Sequence, residues 1–232
     1  IPFPSAIAVG FGGLWLGAPP NLLFVPDRDG DDQADLDAIE LRLTGWGIAD
    51  RHETLHRFIW GPDGWLYGLQ GFATPSNVGR PVGTGRIYKH KEPFPEQHEY
   101  ADTPVKIDGG VWRYHPVKKI FERWAEGGSN QWGLDFNDTG DAFVTACVIP
   151  HLWHVIQGGA YQRQAGPHAN PYAYGEWLGA PGKPTWTDTY AATDIKVTGS
   201  TWRVVRGGPV PCTKGTAKPN ETFRITPSPT GA

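Results

Sequence analysis

Between Pro26 and Asp37 the chain reads PDRDGDDQADLD, six aspartates and one arginine within a dozen residues. Like charges packed this closely repel one another, so the stretch is either a solvated acidic turn or a site for a doubly charged cation. Read as ligands, Asp27, Asp29, Asp31 and Asp35 stand at relative positions 1, 3, 5 and 9, and the backbone carbonyl of Gln33 can serve at position 7. Alternate residues of a tight loop can turn inward together, and Ca²⁺ takes about six to eight hard oxygens. The spacing departs from an EF-hand, because Gly30 stands at position 4 and Ala38 holds position 12, where a bidentate glutamate is expected.

A second group with chemical potential lies in DRHETLHRFIWGPDGWLYG, Asp50 to Gly68, where His52, His56, Arg51, Arg57 and Glu53 crowd ahead of a strand. Histidine is suited to taking a proton near neutral pH, and an adjacent arginine can hold a developing oxyanion or an acidic cofactor. The alternative is a surface loop whose charges pair. A third group, ACVIPHLWHVIQGG, holds Cys147, His151, Trp153 and His154. Residues three apart on a regular strand face opposite sides, so His151 and His154 share a metal only if the segment bends, as at Pro150; otherwise one histidine lines a site beside Trp153. Trp60, Trp65, Trp112, Trp124, Trp132 and Trp153 offer flat faces to a sugar ring, although such large side chains are expected mainly in the core.

These groups must be positioned by short strands. Helical periodicity is scarce, and apolar runs bounded by Gly, Pro, Asn and Asp recur. VGFGGLWLG (Val9 to Gly17), WGPDGWLYG (Trp60 to Gly68) and WGLDFNDTGDAFV (Trp132 to Val144) align with one another. They are followed by NLLFVPD, GVWRYHP and HLWHVIQGG, each an apolar strand running into a turn. Strand, Asp-Gly turn, strand, longer connection and strand again is the outline of a four-stranded propeller blade. The expectation is therefore an all-β fold, a partial β-propeller of about three to four blades over residues 1–168. Thr74 to Gly109 is expected to run over the surface as a long loop. Residues 169–232 form a Pro/Gly-rich, irregular C-terminal segment in which TWRVVRGG and ETFRI have strand character.

Composition narrows the function classes. The chain has 232 residues, with 31 Gly and 22 Pro, yet 11 Trp, 8 Tyr and 10 Phe, which fits a folded, turn-rich protein. A formal charge of −3 and the lack of basic runs argue against nucleic acid as a partner. No apolar stretch approaches the roughly 20 residues of a transmembrane helix. Cys147 and Cys212 lack CxxC or CxxCH spacing, so they are either one disulfide or two thiols. The absence of methionine suggests a processed or partial chain.

The acidic loop resembles the DxDGDxxxD loops between strands of integrin-type propellers, which hold calcium without flanking helices. On a larger scale, AIAVGFGGLWLGAPPNLLFVPDRDGDDQAD, DRHETLHRFIWGPDGWLYGLQG, GGVWRYHP, SNQWGLDFNDTGDAFVTACVIPHLWHVIQGG and YQRQAG resemble the membrane-bound dehydrogenase domain of planctomycete and verrucomicrobial proteins. That domain is related to the glucose/sorbosone dehydrogenases, propellers that use pyrroloquinoline quinone (PQQ). The resemblance implies an extracytoplasmic propeller, a sugar or alcohol substrate and a cytochrome c-type electron acceptor. It also implies a histidine before the Gly-Pro-Asp-Gly turn that takes the hydroxyl proton. His52 holds the similar position, with His56 as its neighbour and Arg51 beside it, while Arg57, Trp60, Asn130, His151, Trp153 and His154 are candidates for binding substrate or cofactor. A six-bladed ring is longer than this chain, so missing blades or partner chains would complete it. The alternative is a non-catalytic propeller that binds carbohydrate or protein.

Overall fold

The computed structural model describes residues 1, 3–50, 52–146, 152–163 and 173, with the backbone placement of three further strands. The fold is all-β. Among the described residues the helical content is a single 3-10 turn, Leu36–Ala38, and no helix is long and apolar enough to cross a membrane.

The first sheet is an antiparallel meander of β1 (Ala6–Val9), β2 (Gly13–Ala18), β3 (Asn21–Pro26) and β4 (Glu40–Thr44). β3, NLLFVP, is buried at five successive positions, as a strand covered on both faces must be. The chain continues through β5 (His56–Trp60), β6 (Leu66–Gln70), a hairpin of β7 (Ser76–Val78) and β8 (Val105–Ile107), then β9 (Gly110–His115) and β10 (Ile120–Gly127). Here β5, β6, β9 and β10 form a second meander. A third follows in β11 (Gln131–Phe136), β12 (Ala142–Ala146) and β13 (Leu152–Val155), after which β14 (Ala160–Tyr161) returns parallel to β10. A separate sheet joins β15 (Asp194–Thr198), β16 (Thr201–Val205) and β17 (Thr226–Pro227), so TWRVV is a strand as expected. ETFRI lies outside the described residues. None of these sheets closes on itself.

The turns follow from their residues. In Gly-Pro-Asp-Gly, Gly64 takes φ 76° and its N–H donates to Gly61 O at 3.0 Å, while Asp63 Oδ1 accepts from the Trp65 N–H. The matching turn between β11 and β12 is closed by Asn137, whose Oδ1 accepts from the backbone N–H groups of Thr139 and Asp141. This is the Asx geometry expected of such a residue.

The second sheet is covered on both faces. β6 sends Leu66 into a core with Trp15, Leu22, Trp46 and Trp112, and sends Tyr67 and Leu69 into another with Val111, Trp124, Leu134 and Trp153. The two-residue period of a strand makes this division automatic. Along one margin of the stack, β1 packs beside β5, and β11 beside β5 and β6.

The long connection expected on the surface is different in one respect. Its ends pair as β7 and β8, and Val78 and Ile107 are fully buried in the first core. Two apolar anchors near the ends of an otherwise polar segment suffice to pull them inward.

Candidate functional site

The structured end of DRHETLHRFIW is pinned by a buried polar network. Gln70 ends β6 with no exposed surface; its Nε2 donates to Thr74 O at 2.7 Å, and its Oε1 accepts from Thr54 Oγ1 and from the Leu55 N–H. Thr54 Oγ1 also approaches Gly47 O at 2.8 Å. The segment before β5 is thereby held against the end of β6. Leu55 and Arg57 adopt φ 46° and 55°, and Asn130, in the facing connection to β11, adopts φ 48°. Left-handed conformations of non-glycine residues cost roughly 1–3 kcal/mol each and gather where surrounding structure imposes them, often at functional sites.

Between these two strained segments lie two buried titratable groups. His56 is 6 % exposed, opposite Leu69 on β6, and its ring centroid lies 5.3 Å from that of Trp132. Its Nε2 is buried without a hydrogen-bond partner among the described residues. Burial pulls its pKa down to about 4, so the imidazole is neutral at neutral pH. Glu53 is 7 % exposed. Burial, then the charge of Asp50, pushes its pKa up to about 7, against a backbone hydrogen bond from Asn130 and the charge of His52. Its Oε2 has no partner among the described residues. The Gly71 N–H donates to Glu53 O at 2.6 Å, and a Cβ at Gly71 would overlap the Glu53 side chain. Glycine is therefore required there by close approach.

Trp132 covers His56 while remaining half exposed, at 50 %. Arg57 ties the strands together, its Nε and Nη2 donating to Leu134 O at 3.3 and 3.2 Å. Glu53, raised toward neutrality, can take and give a proton near neutral pH, while His56, kept neutral beneath the accessible face of Trp132, can accept a hydrogen bond.

The other sequence candidates fall elsewhere. His52 has a side chain 88 % exposed, its Nδ1 3.1 Å from Asp50 Oδ1. Trp60 packs between β1 and β5, its Nε1–H donating to Val9 O at 2.8 Å. Trp153 is buried edge-on against Tyr161. His154 stacks on Phe143 and sits 3.7 Å from Asp141. Arg51, Cys147, His151 and Cys212 lie outside the described residues. Of the candidates, His56, Arg57 and Asn130 are brought together. Glu53 was visible in the sequence without a role, and Trp132 was one tryptophan among several. A polar pair before a strand carries no local mark of the burial that gives it chemistry.

In the acidic loop, carboxylate oxygens of Asp27, Asp29 and Asp31 lie within 4.8 Å of one another. Asp27 Oδ1 and Oδ2 accept from the Gly30 and Asp32 N–H groups. Asp31 accepts from the Gln33 backbone N–H through Oδ1 and from Gln33 Nε2 through Oδ2. Asp35 is turned onto Arg28, whose backbone N–H donates to its Oδ2 at 2.9 Å.

The model of a domain family of unknown function, DUF7133, matches residues 1–190. The chain belongs to DUF7133. The match takes in the three consecutive meanders and both segments of the β5–β11 site, so the site lies inside the DUF7133 domain. No curated protein and no solved structure matches the chain.

Proposed function

We propose that the three meanders are successive blades of a β-propeller and that the head of β5 is its site for a sugar or another polyol. Support for the propeller comes from two cores on opposite faces of the second sheet and from the adjacency of β1, β5 and β11, the first strands of the three meanders. In a propeller those strands line the channel.

The observation that carries the ligand reading is His56, buried and neutral, with an unpartnered Nε2 beneath the half-exposed face of Trp132. A sugar offers an apolar C–H face to such a ring and hydroxyls to the groups below it. In this reading the neutral His56 accepts a hydrogen bond from a ligand hydroxyl through Nε2, and Glu53, with its pKa near 7, exchanges a proton with solvent close to neutral pH. His56 is preferred to His52 because an imidazole held out in water beside Asp50 is not poised over a ligand.

The sequence resemblance adds a quinone cofactor, which is a flat tricarboxylate. Of the guanidinium groups at this end of the sheet, Arg163 is paired with Asp108, while Arg57 rests on the neutral Leu134 carbonyl and keeps its charge. Arg57 would thus meet one of the quinone's three carboxylates. One such guanidinium against three carboxylates favours a second reading, a propeller that binds a polyol without oxidising it.

Calcium fits better. Asp27, Asp29 and Asp31 supply hard carboxylate oxygens on one side of the loop and would hold the ion there, bracing the β3–β4 connection. An extracytoplasmic location and a cytochrome partner belong to the dehydrogenase reading.

The test is calorimetric titration of the chain with a panel of sugars and polyols, alongside dye-linked oxidation of the same panel with PQQ and calcium added together and singly omitted. Binding that His56→Gln removes and His52→Ala leaves intact supports the site. Turnover dependent on PQQ supports the dehydrogenase reading over the binding one. Absence of both binding and turnover overturns the assignment.

A further inference from the structure

At the far end of β10 from Gly127, roughly 25 Å along an eight-residue strand, a cleft of about 350 Å³ opens between the end of β4, the β7–β8 hairpin and the β9–β10 turn. That volume lies within the range of about 300–1,000 Å³ typical of small-molecule sites. Its accessible apolar floor is made by half-buried Phe121 and exposed Ile120, which lie over Leu43 and Val78 of the first core.

The rim carries Arg80, Lys118 and Lys119 against a single carboxylate, Asp102, a net of two positive charges. The carboxylate is fully committed. Its Oδ1 accepts from the Arg80 N–H at 2.9 Å and its Oδ2 from Arg80 Nε–H at 2.8 Å. It is also seated against the backbone, since a Cβ at Gly79 would stand 2.9 Å from Asp102 Oδ1. Asp102 therefore cannot swing across to neutralise the lysines. Lys118 and Lys119 form no ion pair with any described residue. The turn that carries them is held in place, with the Lys119 N–H donating to His115 O at 2.8 Å and the Lys118 N–H reaching His115 Nδ1 at 3.2 Å.

We propose that this cleft binds a small organic anion with an apolar body, such as an aromatic or short aliphatic carboxylate or sulfonate. The apolar floor takes the body, and the two uncommitted ammonium groups meet the charge at the rim. The site stands apart from the polyol site, and neither depends on the other.

The full chain is titrated with 1-anilinonaphthalene-8-sulfonate and, in parallel, with its uncharged relative N-phenyl-1-naphthylamine. The comparison protein is the double variant Lys118→Glu/Lys119→Glu. Both positions are exposed, so the fold should be retained, and an unchanged thermal midpoint checks this. The expected result is saturable sulfonate binding weakened at least about tenfold in the variant and also weakened by added salt, with the uncharged probe affected less than about twofold. Lys118→Gln/Lys119→Gln should show an intermediate loss, which separates missing attraction from added repulsion. Equal sulfonate affinity in parent and charge-reversed variant would overturn the proposal. So would parallel losses for the charged and uncharged probes, or a parent that binds both equally well.

Discussion

Glu53→Gln keeps the side-chain shape at the β5–β11 site and removes its titration. The native carboxyl has its pKa pushed from 4.5 up to about 7 by burial and by Asp50, so the folded state holds a proton that the unfolded chain has already lost between those values. Stability from this group therefore falls as pH rises through the window and stays low above it. At about 1.4 kcal/mol per pKa unit the full effect would be about 3 kcal/mol; solvent screening of the carboxyl reduces the expectation to about 1–3 kcal/mol. His56 works in the opposite sense. Its pKa falls from 6.5 to about 4, so the unfolded chain binds the extra proton and native stability is lost as pH drops through that range. The two slopes oppose each other where the windows overlap, and their contributions to the parent's profile largely cancel there. Urea unfolding from pH 4 to 8.5 should thus find Glu53→Gln equal to the parent at the acid end and more stable by about 1–3 kcal/mol at pH 8. His56→Phe should show the complementary profile, gaining on the parent as pH falls. Stability curves for Glu53→Gln and parent that run parallel across this range would refute the burial of an ionisable Glu53.

Trp132→Ala should abolish sugar or polyol binding measured by calorimetry well below the melting temperature, and should lower stability by about 2–3 kcal/mol because half of that residue is buried over His56. Calcium at about 100 times its dissociation constant should stabilise the parent by about 2.7 kcal/mol, seen as a raised melting temperature, and Asp29→Ala should remove that response. Gly68→Ala should destabilise the fold by about 3 kcal/mol or more in denaturant unfolding, because a Cβ there would overlap the Trp112 indole in the first core. A near-neutral result would mean that the β6–β9 packing is loose.

The recurring WGPDGWLYG and GVWRYHP patterns were enough to read the strands of the second sheet, because alternation and turn chemistry are local properties of the backbone. Each expected strand after an Asp-Gly or Asn-Asp turn is present, and β5 and β6 flank Gly-Pro-Asp-Gly as the spacing requires. The same local logic picked out the loop whose Asp27, Asp29 and Asp31 converge. It also placed His52 and His56 beside each other without distinguishing them. Only packing could do that: His56 is buried under Trp132, which is 76 residues further along the chain, while His52 is left in water beside Asp50. Glu53 acquires its raised pKa in the same way, from burial that packs it against Gly71, with the charge of Asp50 adding to it and the Asn130 backbone opposing it. The anchoring of the β7–β8 hairpin by Val78 and Ile107 likewise follows from a core assembled out of several distant segments. Strand and turn depend on the few residues nearest in sequence, whereas burial of a polar group depends on what folds over it.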